Sequence, residues 1–244
     1  MFAKPWFGIA KQPPYFSALL FLVALAPLVG LPVVLWSDFT QGTRFLGSEP
    51  IKELEHGLGE WALRFLYGTL LITPLRDLTG WNWLAKHRRT LGLFAFAATA
   101  EHLLTWVFLD LQVVVDSLVG WDEVVADLVK RPYLTIGMVA FVLMIPLALT
   151  STKDAIRRMG KRWTRLHRLT YAIPVLGVIH YGMAQKKDIE EPLMYAAFLF
   201  GVLGAPARAI GIIEGVAEAT ASTLKVVAGR LADRASAKKP RACT

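Results

Sequence analysis

Apolar residues along this chain gather into six blocks, at about 16–36, 57–75, 90–109, 133–149, 160–183 and 192–213. Each approaches the roughly twenty residues an α-helix needs to cross a hydrocarbon core about 30 Å thick. The pattern predicts an all-α membrane protein, a bundle of six transmembrane helices. No small-residue cleavage motif directly follows the first block, so it is expected to stay as the first helix rather than be removed as a signal peptide. The tail alternates Ala, Val and Leu with Lys, Arg and Glu, which predicts an amphipathic surface helix with a basic end. Two parts are therefore expected, a bundle over 1–213 and a tail over 214–244. No internal repeat is evident.

The connectors alternate in sign. Segment 37–56 carries Asp38, Glu49, Glu53 and Glu55 against Arg44 and Lys52, and segment 110–132 carries Asp110, Asp116, Asp122, Glu123 and Asp127. Segments 76–89 and 151–162 are basic, with Arg76, Lys86, Arg88 and Arg89 in one and Lys153, Arg157, Arg158, Lys161 and Arg162 in the other. Short Lys/Arg-rich loops stay on the cytoplasmic side. The basic connectors and tail are thus expected inside, the acidic connectors outside, and both termini in the cytoplasm.

Composition narrows the chemistry. The 244 residues are 55% hydrophobic and carry a net charge of +8. The cations flank apolar blocks, as juxtamembrane charges do, which argues for lipid contact and against nucleic acid. The single cysteine, Cys243, excludes an intramolecular disulfide, a cysteine-ligated metal cluster and covalent haem attachment.

Ligand-capable side chains inside a span are costly, so they are functional candidates. Three histidines qualify: His102 in the third block, and His167 and His180 near the two ends of the fifth. At 1.5 Å per residue, His102 lies roughly 18 Å from the cytoplasmic end of its helix, His167 roughly 6 Å and His180 roughly 25 Å. Two imidazoles facing each other across a bundle can hold a six-coordinate b haem. Depth selects His102 with His180. Thirteen residues turn an ideal helix so that His167 and His180 stand about 140° apart, and a kink at Pro174 would alter that phase, so His102 with His167 stays open.

Thirteen residues before His102 stands Arg89, where a second haem would want a histidine. Arginine does not ligate iron, but its fork binds phosphate or carboxylate. Arg88, Arg89 and His167 therefore suit either a phosphate-bearing cofactor such as flavin mononucleotide or the propionates of a second haem. His56 and His87 are expected in solvated loops, Trp106 and Tyr171 in packing and interface roles. Glu101 is read as a proton-coupling group or as a partner of Arg64.

Five motifs occur in order: 70–75 (LLITPL), 87–94 (HRRTLGLF), 131–137 (RPYLTIG), 149–152 (LTST) and 160–171 (GKRWTRLHRLTY). On these, the chain over about 57–195 resembles the MsrQ (YedZ) family, within the ferric-reductase-like transmembrane group. Members are haem-binding membrane subunits of bacterial periplasmic methionine-sulfoxide reductase systems. The resemblance implies an electron-transfer subunit of an oxidoreductase complex rather than its catalytic subunit, in the bacterial inner membrane. It implies haem b, one or two, held by His102, His167 and His180, and flavin (FMN) at Arg88 and Arg89. The implied donor is the quinone pool or a cytoplasmic flavin reductase. The implied acceptor is a periplasmic molybdenum-cofactor (molybdopterin) subunit that repairs oxidised envelope proteins, which segment 110–132 would touch. Rival readings are a membrane ferric reductase or oxidase with a separate flavin–nicotinamide partner, and a haem-free transporter or scaffold.

Overall fold

A computed structural model describes residues 11–110, 121–185 and 190–203. Within them the secondary structure is helical, with no strand. The tail 214–244 and the end of the sixth block lie outside the described residues.

Helix α1 (Phe16–Gln41) stops at Gly42, whose φ of 67° suits glycine. Helix α2 (Pro50–Thr79) opens on proline, which needs no N–H partner at that position, and closes at Gly80, whose N–H donates to the Arg76 carbonyl at 2.8 Å. A 3-10 turn (Asn82–His87) leads into α3 (Arg88–Thr105), which ends in a π turn over Trp106–Asp110. Outside the bundle, α4 (Trp121–Lys130) precedes α5 (Pro132–Leu149), again opened by proline. Two short helices follow, α6 (Lys153–Met159), capped by the Thr152 hydroxyl, and α7 (Lys161–Leu166). Helix α8 (Leu169–Ala184) and α9 (Glu190–Leu203) complete the described chain.

Among the described residues three stretches are long and apolar enough to cross a membrane: Phe16–Gln41, Asn82–Asp110 and Pro132–Leu149. Their outer surfaces are oily. Leu19, Leu22, Val33, Val139 and Val142 are all exposed, as lipid-facing side chains are.

The bundle is two antiparallel pairs set against each other. Helix α2 packs along α3 and α5 along α8, while α3 meets α5 and α2 meets α8. Helix α1 lies on α2 and α3, and α9 on α8 and α2. At the centre Ala62, Phe65, Leu66, Phe94, Met144 and Ile173 close around Ala95 and Ala98, which have no exposed surface. Small residues there let backbones approach closely, which is how membrane helices gain van der Waals contact.

The fifth block is not one helix. The chain leaves α7 at Leu166 and restarts at Leu169, so His167 and Arg168 sit in a turn. The 140° phase problem between His167 and His180 disappears, because no continuous helix joins them. The acidic segment 110–132 likewise contains α4, which covers Trp106 and Val107 through the buried Val124.

Candidate functional site

His102 on α3 and His180 on α8 meet across the bundle, with ring centres 6.1 Å apart and planes at 84°. Each imidazole is held the same way. His102 Nδ1 lies 2.8 Å from the Glu55 carbonyl and His180 Nδ1 2.8 Å from the Tyr133 carbonyl. A carbonyl oxygen can only accept, so in each neutral ring Nδ1 carries the proton and Nε2 keeps its lone pair. Such a bond fixes ring orientation and raises ligand basicity.

Glycine completes each mount. A Cβ on Gly59 would come within 3.2 Å of the His102 ring, and one on Gly137 within 2.7 Å of the His180 ring. The helix facing each histidine is therefore bare where the imidazole leans on it. Gly59 is four residues beyond Glu55, and Gly137 four beyond Tyr133. The whole set recurs with an offset of 78 positions (55 to 133, 59 to 137, 102 to 180). The α2–α3 and α5–α8 pairs are thus an internal repeat, which overturns the reading that none exists.

Both rings line a cavity of about 260 Å³ at the end of the bundle that carries the acidic connectors, termed the outer cavity for that reason. Its inner end is apolar, formed by Leu63, Leu66, Ala140, Met144 and Ile173; its rim carries Lys52, Glu55, His56, Asp110, Arg131 and Tyr133. Glu55 stands ahead of the second apolar block. Its carboxyl is pushed up to about 7 by burial, with the Asp110 charge adding to the shift.

An inner cavity of about 540 Å³ lies against the same wall, since Leu66, Met144 and Ile173 line both. Arg88, Arg89, Arg168, Thr73, Trp163 and His167 border it. Arg88 bonds the Thr73 hydroxyl. His167 is placed unlike the other two histidines. It stacks on Trp163 at 4.0 Å, and its Nε2 lies 3.0 Å from the Thr150 hydroxyl, which itself donates to the Pro146 carbonyl at 2.6 Å. That hydroxyl has its proton engaged, so His167 Nε2 donates to it and offers no lone pair here.

The structure thus brings His102 and His180 together and sets His167 with Arg88 and Arg89 around a separate cavity. Other expectations change. His87 is buried rather than solvated, edge-on to Phe16 and Trp83, and burial holds its pKa below the usual value with the Lys86 charge adding. His56 is exposed but belongs to α2. Arg64 pairs with Glu60 at 2.8 Å, not with Glu101, whose Oε2 is buried without a hydrogen-bond partner among the described residues. Trp106 is buried packing and Tyr171 is half-exposed. Sequence reading missed the two glycines and the two carbonyls; their signal was the shared offset of the two halves. Among the described residues no group of three or more His, Cys, Asp or Glu could enclose a metal ion. The facing imidazoles offer two ligands, suited to a metal whose other positions are filled by something else.

Two helix pairs presenting opposed imidazoles within a membrane bundle define the class, and comparison agrees: residues 58–178 match the family of the ferric reductase like transmembrane component. Relatives sharpen this. The chain is 44% identical over 180 residues to the protein-methionine-sulfoxide reductase heme-binding subunit MsrQ of Xanthomonas campestris pv. campestris, covering 74% of this chain and 80% of the relative. It is 44% identical over 196 residues to MsrQ of Azospira oryzae, covering 80% and 79%. To MsrQ of Xanthomonas oryzae pv. oryzae it is 43% identical over 188 residues, covering 77% and 84%. The chain belongs to the MsrQ family.

Proposed function

We propose that this chain is a b-type cytochrome of the bacterial inner membrane, with His102 and His180 as the residues that would hold a haem in the outer half of a six-helix bundle. The observation that carries the reading is the imidazole pair itself. Two iron–nitrogen bonds of about 2 Å put opposed ring centres roughly 6 Å apart, and the rings stand at 6.1 Å. Both rings carry the Nδ1 proton, which leaves Nε2 to ligate. Haem, when bound, supplies reversible one-electron chemistry. The chain's own residues hold its ligands, keep the macrocycle in an apolar chamber, and separate it from the inner cavity by Leu66, Met144 and Ile173.

The inner cavity is read as the site of flavin mononucleotide. Arg88 and Arg89 stand at the start of α3 and border the cavity, where two guanidinium charges favour a phosphate. The hydrogen bond from His167 to Thr150 favours flavin over a second haem, since it occupies the nitrogen that would ligate. Electrons enter from quinol or a cytoplasmic flavin reductase. They leave to a periplasmic molybdopterin-containing methionine sulfoxide reductase, which repairs oxidised envelope proteins. The family relatives are named as heme-binding subunits of a protein-methionine-sulfoxide reductase, and the acidic-out, basic-in connectors support the direction. Both termini, with the tail 214–244 on the membrane surface, are cytoplasmic.

A reduced-minus-oxidised spectrum of the purified protein tests the core of this. The expected result is a low-spin haem band that is lost in His102→Ala and in His180→Ala and kept in His167→Ala. An unchanged band in His102→Ala would sink the ligand assignment. For orientation, Val125→Cys on α4 should react with an impermeant thiol reagent outside intact cells once Cys243 is replaced, whereas Arg157→Cys should react only after permeabilisation. The reverse pattern would invert the topology.

A further inference from the structure

We propose that Arg131, together with Lys52, anchors the two haem carboxylates at the outer rim of the cavity; this rests on the haem reading above. Haem is an apolar macrocycle with both carboxylates along one edge. The inner end of the chamber, from Leu63 and Leu66 to Met144 and Ile173, offers those carboxylates no cation, and the Thr99 hydroxyl beside Met144 already gives its proton to the Ala95 carbonyl. A carboxylate buried there would be left unpaired, the most costly arrangement for a charged group. The rim is the opposite, with Lys52 and Arg131 both lining it.

Both cations stand just ahead of the carbonyls that hold the histidines, though one position out of the repeat, whose equivalent of Lys52 is Lys130. Lys52 stands three residues before Glu55, whose carbonyl fixes His102, and Arg131 two residues before Tyr133, whose carbonyl fixes His180. The turn that orients each imidazole thus also carries a cation, one from each half of the bundle. Arg131 has donors to spare. Its Nε bonds Asp127 at 3.0 Å, while one terminal nitrogen reaches only the Tyr133 hydroxyl at 3.4 Å. A planar fork held on one side by Asp127 can present its other edge to a second carboxylate. Lys52, paired with Glu49 on the exposed surface, supplies a mobile point charge. Two cations are needed because Glu55 and Asp110 also face the rim.

The test uses purified full-length protein, wild type against Arg131→Gln, Lys52→Gln and Arg131→Lys, each loaded with haem or with its dimethyl ester. Removing a cation beside the carboxylates should lower the haem midpoint potential and weaken haem retention several-fold in Arg131→Gln, less in Lys52→Gln. Arg131→Lys, which keeps the charge, should recover most of the potential. Ester haem, which has no carboxylate to hold, should be retained equally by wild type and Arg131→Gln. Equal weakening of both haems would make Arg131 a structural residue and overturn the proposal, as would an unchanged potential in Arg131→Gln. Wild-type protein with no low-spin haem would instead overturn the reading on which the proposal rests.

Discussion

The α2–α3 and α5–α8 halves of the bundle are alike at their outer ends and unlike at their inner ends. Outside, each gives one histidine, one carbonyl that holds it and one glycine that makes room for it. Inside, the position thirteen residues before the histidine is Arg89 in one half and His167 in the other. The backbone diverges as well: α3 runs unbroken from Arg88 to Thr105, while the second half turns at His167 and Arg168 before α8 begins. A two-fold frame suits a ligand approached equally from both sides, such as a metal between two imidazoles. Where the frame is broken, the chain gathers three arginines and a hydrogen-bonded histidine, which suits an anionic group approached from one side.

The largest expected effect breaks the likeness at the outer end. In Gly137→Ala the new methyl would stand 2.7 Å from His180 Nδ1 and 2.9 Å from its Cε1, so the ring must leave its bond to Tyr133. In Gly59→Ala the nearest His102 atom is 3.2 Å away, which a shift of a few tenths of an ångström relieves. Pyridine haemochrome assay should find most haem lost from Gly137→Ala and most kept in Gly59→Ala. Equal haem in both would mean that the glycines do not seat the rings.

Next in size is the inner site. Arg88→Ala with Arg89→Ala should empty the flavin and stop reduction by a cytoplasmic flavin reductase, read by released-flavin fluorescence and by the haem band. Haem should remain, because His102 and His180, the ligands proposed for it, lie across the Leu66–Met144–Ile173 wall. If the double variant keeps flavin and loses haem, the arginines hold haem carboxylates and the two ends of the molecule are more alike than their residues suggest.

Sequence alone reached the all-helical character of the described residues because apolar blocks of spanning length are a strong signal, and it reached the meeting of His102 with His180 because helical rise converts position into depth. It did not reach the turn at His167 and Arg168. Nothing in the run from Trp163 to Tyr171 breaks a helix on its own, and Pro174, the residue expected to disturb it, sits inside α8. Nor did it reach the burial of His87, which depends on Phe16 from α1 folding back onto the 3-10 turn. The repeat went unseen because its sequence signal is thin, a glycine and a histidine recurring at one offset, while the carbonyls of Glu55 and Tyr133 that share a role have no side-chain signature.

The smallest effect makes the two halves more alike. Leu66 and Met144 are the same offset apart as the two histidines, and both stand in the wall between the cavities, buried at 7% and 5% exposure. Met144→Leu therefore copies one half onto the other at nearly constant volume, and such swaps cost less than about 1.5 kcal/mol. The change removes the sulfur that accepts from the Thr99 hydroxyl at 3.7 Å, but Thr99 keeps its bond to the Ala95 carbonyl at 2.8 Å. Thermal unfolding in detergent should shift by a few degrees at most, with the haem band and the flavin retained. Met144→Ala should cost more, about 2–5 kcal/mol, because it leaves a void between two cavities that are already open. The informative measurement is the rate of haem reduction through the flavin. If Met144→Leu keeps that rate, the wall acts by thickness alone, and either side chain serves. If the rate falls while both cofactors stay bound, the polarisable thioether is the asymmetric element through which the unlike inner end couples to the two-fold outer one.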